Sequence, residues 1–113
     1  MARWETHRGD EWWYTDGAIE AAASTNTALA PPVFQITVRF RTPAGVNAAS
    51  LLRLLRLTTE QLPEFELWCS LDQQTTPLLA ELAAQGRVRW ERIEHPHSRD
   101  ARILQLAQDA DAR

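Results

Sequence analysis

Two aspartates and two histidines have the types and surroundings that suggest chemistry. Asp16 lies in Glu11-Trp12-Trp13-Tyr14-Thr15-Asp16-Gly17-Ala18, an alternating run rich in aromatics. A carboxylate taken out of water is costly unless it gains a partner, a hydrogen-bonded niche or a metal. Locally, Asp16 reads either as a functional carboxylate at a strand end or as part of an Asp-Gly turn between two strands. Asp72 follows Cys69-Ser70-Leu71 and reads either as a second strand-end acid or as a helix-entry acid. His95 and His97 flank Pro96 in a loop, as pH-responsive groups or as plain solvent-exposed side chains. Cys69 is the single cysteine, cannot form an internal disulfide, and reads as a buried thiol. One Cys and a His-Pro-His pair do not make a tetrahedral zinc site, and no glycine elbow surrounds a serine.

The chain that must position these groups has 113 residues, enough for one domain with a real core. Its net charge of -3 provides no global basic field for nucleic acid, so such a site would need a local arginine patch. All twelve basic residues are arginine, the better residue for bidentate phosphate contacts. The first residues lack the apolar region of a signal peptide, and no apolar run approaches membrane-spanning length. Cytoplasmic localisation and no membrane partner are the default expectations.

Residues 1–10 are polar and read as a loosely packed or disordered extension, with Trp4 a possible anchor. A strand is expected over 11–19, covered on both sides because neither of its faces is polar throughout. Residues 21–32 have no assigned pattern. Over 33–41, Phe34, Ile36, Val38 and Phe40 alternate with Gln35, Thr37, Arg39 and Arg41, which predicts a strand near a sheet edge with one wet side. Asn47 is placed to cap a helix over 48–59, with Leu51, Leu52, Leu54, Leu55 and Leu57 as its apolar stripe. A strand over 65–71 leads to a helix over 77–85, capped by Thr76 and ended by Gly86. A strand over 87–94, a loop at 95–98 and a helix over 99–111 complete the order. Right-handed crossovers would set the later strands parallel, with Asp16 and Asp72 at strand ends that can lie side by side.

Five tryptophans are many for this length. Trp13, Trp68 and Trp90 fall on expected core strands and read as packing. Trp4 and Trp12 could stack a base or anchor a protein partner. Arg39 and Arg41 read as a solvated face or as phosphate contacts.

The pattern resembles the ribonuclease H family over nearly the whole chain. Tyr14-Thr15-Asp16-Gly17-Ala18 is similar to the family's first-strand motif, and Cys69-Ser70-Leu71-Asp72-Gln73-Gln74 to the end of its fourth strand. Val88-Arg89-Trp90-Glu91-Arg92-Ile93 is similar to its fifth strand, and Leu106-Ala107-Gln108-Asp109-Ala110 to the tail of its last helix. The resemblance implies an α/β fold with a mixed sheet of about five strands, antiparallel first and parallel later, and about three helices on its faces. It also implies carboxylates holding Mg²⁺ or Mn²⁺ beside an RNA–DNA hybrid, and a loop histidine, His95 or His97, near the scissile bond. Asp16 and Asp72 match the metal ligands. Ser50 and Leu104 stand where two further acids belong, which leaves Asp100 as the candidate replacement.

Three functions follow as expectations. One is a ribonuclease H-like domain with a degenerate metal site that binds nucleic acid or protein through residues such as Arg39, Arg41 and Trp12. The second is an active, divalent-metal-dependent ribonuclease H. The third is an unrelated α/β protein-interaction domain, with a homodimer among its possible partners.

Overall fold

The computed structural model describes residues 2–95 and 98–107, with His95 and Ser98 described by backbone alone. The described chain builds a seven-stranded mixed sheet and two α-helices. The strands are β1 (Glu5–Arg8), β2 (Glu11–Thr15), β3 (Ile19–Asn26), β4 (Val33–Phe40), β5 (Glu66–Ser70), β6 (Val88–His95) and β7 (Ser98–Leu106). Helix α1 (Ala48–Gln61) joins β4 to β5, and helix α2 (Thr75–Ala84) joins β5 to β6. The order across the sheet is β1-β2-β3-β4-β5-β7-β6. This corrects the ribonuclease H-like expectation, whose five strands and three helices are not the arrangement found. Among the described residues, no helix is long and apolar enough to cross a membrane.

The first four strands form an antiparallel meander. β4 and β5 are parallel, and β6 is parallel to β5 because each pairs antiparallel to β7 between them. The two helical crossovers advance in the same direction. A shared handedness therefore puts both helices on one face, where they pack side by side. The core lies between that face and the helices. It contains Ile19, Phe34, Ile36, Leu67, Cys69 and Ile103 from the strands, and Leu51, Leu54, Leu55, Leu79 and Leu82 from the helices. Among the described residues, no helix packs on the other face of the sheet.

Several local expectations hold. Asn47 caps α1 by accepting the Ser50 N–H at 2.9 Å. Gly86 follows α2 with φ +73°, a left-handed conformation that suits glycine. At the start of α2 the cap is Asp72 rather than Thr76: its Oδ1 accepts the N–H groups of Gln74 and Thr75 at 2.8 and 2.7 Å.

Other expectations are corrected. The strand expected over 11–19 is a hairpin, so the turn reading of Asp16-Gly17 is the one realised, and β3 runs into the unassigned stretch as far as Asn26. β2 is not covered on both sides, since Glu11, Trp13 and Thr15 are exposed. β4 is the middle strand, not an edge. Its polar side is wet because, among the described residues, no helix packs on that side of β4.

The helix expected over 99–111 is strand β7 as far as the described residues reach. Arg89 pairs with Gln105 while Trp90 pairs with Ile103, so Leu104 is an extra residue bulging from β7. The bulge shifts the apolar phase by one position, and Ile103, Leu104, Leu106 and Ala107 then imitate a helical stripe.

The first residues are not loose. Trp4 is 1% exposed and packs on Tyr14 and Phe34 at centroid distances of 5.5 and 4.9 Å. Its indole N–H donates to Thr58 Oγ1 at 2.8 Å. The Gln61 side chain accepts the Trp4 N–H at 2.9 Å and donates to the Trp4 carbonyl at 2.7 Å. Residues 5–8 then run as an edge strand, polar throughout and hence silent in the hydrophobic pattern.

Candidate functional site

The structure gives each candidate acid a local task. Asp16 closes the β2–β3 turn: Oδ1 accepts the N–H groups of Ala18 and Ile19 at 2.7 and 2.8 Å, and Oδ2 accepts the Tyr14 hydroxyl at 2.7 Å. Partial burial pushes its pKa up, but those three hydrogen bonds and the Arg53 charge outweigh it and hold the carboxyl below its ordinary value. Burial, then the bond to Asp16, pushes the Tyr14 phenol in the other direction, upward. Asp72 caps α2 as described. Asp100 is fully buried on β7, with Gln35 Nε2 at 3.0 Å from Oδ2 and Ser70 Oγ at 3.3 Å from Oδ1.

Asp16 and Asp72 lie at the same end of the sheet, past β2 and β5. Three strand spacings separate those strands, about 14 Å, too far for one metal ion to bridge. Asp100 neighbours Ser70 across the ladder, but its carboxylate faces the uncovered side while that of Asp72 faces the start of α2. Among the described residues, no group of three or more His, Cys, Asp or Glu is placed to hold a metal ion. His95 ends β6, paired with Ser98, and its side chain lies outside the description, as does the whole of His97. Ser50 is buried beside its capping partner Asn47, and Leu104 is exposed. Burial, then the charges of Asp72 and Asp100, pushes the Cys69 thiol up to about 12.

The candidate nucleic-acid residues separate in a similar way. Arg39 is held by Glu20 at 2.6 Å. Arg41 donates to Thr15 Oγ1 at 3.1 Å and to the Asp16 carbonyl at 3.2 Å. Trp12 is half-buried on the helix side, edge-on to Phe34. The three do not form a shared surface. Trp68 is buried as packing requires, but on the face opposite the helices and apart from the main core cluster, its indole N–H on Glu66, which also holds Arg102. Trp90 is half-buried against the core, as expected of packing.

The uncovered face carries a different constellation. Strand register sets out its rows: Glu5, Trp13, Ala22 and Thr37 across β1 to β4; Glu11, Ser24 and Gln35 beside them; Thr15, Glu20 and Arg39 on the other flank. Trp13 is 53% exposed, with the His7 ring edge-on at 5.3 Å. Across β3 from it, only Ala22 and Ser24 rise from the surface, and beyond them stand Gln35 and Thr37 on β4. The result is a trench of about 410 Å³ with a small-residue floor, an indole wall and a polar wall. The Arg39–Glu20 pair stands between β3 and β4, one row beyond Ala22 and Thr37. The walls are two strand spacings apart, about 10 Å, comparable to the separation of stacked sheets.

The buried Asp100 sets the polar wall. A carboxylate accepts, so the Gln35 amide must turn its NH₂ toward Asp100, leaving the amide oxygen as an acceptor. Ser70 extends the network from Asp100 to the Thr37 hydroxyl at 3.3 Å. Nothing in the sequence marks these residues as a site. The β4 alternation puts Gln35 and Thr37 toward solvent, but the floor lies in the stretch without a pattern, and aromatics on both faces of β2 hide which tryptophan is exposed. No family model, curated protein or solved structure matches this chain.

Proposed function

We propose that this chain is a protein-interaction domain that binds an extended segment of a partner protein in the trench beside Trp13. The observation that carries the reading is a large aromatic, half exposed, standing over a floor of alanine and serine on an uncovered sheet face. Exposed tryptophans beside concave surfaces are typical anchors of recognition, since they offer wide apolar area at small entropic cost. The opposite wall supplies the hydrogen-bonding half. The Gln35 amide is held by the buried Asp100 carboxylate and the Thr37 hydroxyl by Ser70, which bonds the same carboxylate, so little ordering cost remains on binding. A segment whose backbone N–H meets Gln35 and whose apolar or aromatic side chain lies on Trp13 satisfies both walls. The trench width suits one extended chain.

The test is selection of short peptides from a random library against the native chain, followed by mapping of the bound site from amide and indole NMR shifts. The reading expects shifts at the Trp13 indole, Ala22, Gln35 and Thr37. Selected peptides whose shifts fall on the helices or on β6, with Trp13 unmoved, would overturn it.

A further inference from the structure

The sheet has two edges, and they are guarded differently. β1 is four residues long and its pairing shifts between Thr6 and Arg8, two common ways of blunting an edge against a foreign strand. β6 is eight residues long and contains no Pro or Gly. The irregularity in its pairing belongs to Leu104 of β7, so the outer edge of β6 is unbroken. What guards it is charge: Arg89, Glu91, Arg92 and Glu94 are all exposed.

A charged edge repels a second copy only where like charges meet. When a strand pairs antiparallel with its own copy about a two-fold axis, the side chains that meet lie symmetrically about the axis and share a face. An axis through Glu91 or Arg92 puts like charges face to face. An axis through Trp90 puts Arg89 opposite the second copy's Glu91, and Glu91 opposite the second copy's Arg89, on the uncovered face. On the helix side it brings Trp90 against Trp90 and Val88 against the aliphatic stem of Arg92. The charges therefore leave two registers instead of forbidding contact: an axis through Ile93 also pairs opposite signs, Arg92 with Glu94, but only the Trp90 axis brings the two tryptophans together as well.

We propose that the β6 edge pairs with the β6 edge of a second copy about a two-fold axis through Trp90, extending the sheet across the dimer. Five residues per strand, 88–92, meet in this register. Such a contact is smaller than a standard stable interface, so the dimer is weak, with Kd on the order of 100 µM.

Sedimentation equilibrium from about 10 µM to 1 mM brackets that constant. The native chain is expected to show a monomer–dimer equilibrium. Arg89→Glu turns both ion pairs into repulsions and should raise Kd about 10- to 30-fold. Glu91→Arg should do the same, although it also removes the in-chain pair to Arg102, at 3.0 Å, so Arg89→Glu is the cleaner arm. Mixing the two variants in equal amounts should restore dimers, because each chain then carries charges of a single, complementary sign. Native circular dichroism of each variant separates lost pairing from lost folding. A native chain monomeric to about 1 mM, a dimer insensitive to Arg89→Glu, or a mixture that fails to dimerise would overturn the proposal. Dissociation by Arg92→Glu but not by Arg89→Glu would move the axis to Ile93 and overturn this register. Ala22→Leu in the trench should leave Kd unchanged; if it dissociates the dimer, the interface lies on the uncovered face instead.

Discussion

Replacing Trp4 by alanine tests whether the first residues belong to the folded unit. The indole is 1% exposed and packs edge-on to Phe34 and tilted on Tyr14, so its removal leaves a large cavity under β2 and β4. Truncations of buried aromatics of this kind cost about 3–5 kcal/mol. A chain of this size has roughly 5–15 kcal/mol to lose, so the substitution should lower Tm by about 15 °C. Trp4→Phe separates packing from hydrogen bonding. It keeps most of the ring contacts and removes the donor to Thr58, whose hydroxyl still donates to the Leu54 carbonyl at 2.6 Å. That loss is about 1 kcal/mol, and a double-mutant cycle with Thr58→Val should return a coupling of similar size. The Gln61 clasp holds the Trp4 backbone and survives both changes. The assay is urea unfolding followed by far-ultraviolet circular dichroism. A cost below about 1 kcal/mol for Trp4→Ala would refute the docked N-terminus, since that is the range of an exposed substitution.

Two further predictions follow from the titrating groups. The folded pKa of Asp16 lies below its ordinary value, so its contribution to stability is complete above about pH 4 and is lost as pH falls further. Asp16→Asn keeps an acceptor for the Ala18 and Ile19 N–H groups and should flatten the acid limb of the stability curve; an unchanged acid limb would show that other carboxyls carry it. Cys69, fully buried with its thiol pushed up to about 12, should not react with a thiol reagent at neutral pH until the chain unfolds. Prompt labelling of the native protein would contradict the packing of β5.

What could be read from the sequence was local chemistry with a repeating period. The Asn47 cap, the leucine stripe of α1, Gly86 and the alternation of β4 each announce their structure within a few residues. What could not be read depends on partners distant in sequence. The Leu104 bulge rewrites the period of β7 and disguises a strand as a helix. β1 is an edge strand with no buried side chain, and its presence shows only through Trp4 and the clasp from Gln61. The wet side of β4 is visible, but alternation cannot distinguish an edge strand from the middle of a sheet covered on one face. That depends on where the two crossovers place their helices.

The same limit governs the site. The chemistry of Asp16 and Asp72 is plain, but their separation depends on β3 and β4 lying between them, which is a matter of strand order. Each acid then serves the nearest unpaired N–H groups. Asp100, deep in the uncovered face, has no local signature, yet its hydrogen bond fixes the wall opposite Trp13.

Occupancy of the trench beside Trp13 by a partner segment can be blocked at its floor. Ala22 is exposed on its floor and faces away from the core, so Ala22→Leu fills the trench while sparing the fold. The most direct measurement is the affinity of one selected peptide for the native chain and for Ala22→Leu, by calorimetry, with urea unfolding as the check on folding. Affinity for Ala22→Leu is expected to be at least ~10-fold weaker at near-native stability, the scale on which obstructing a buried anchor acts. Equal affinity for the two proteins would contradict it.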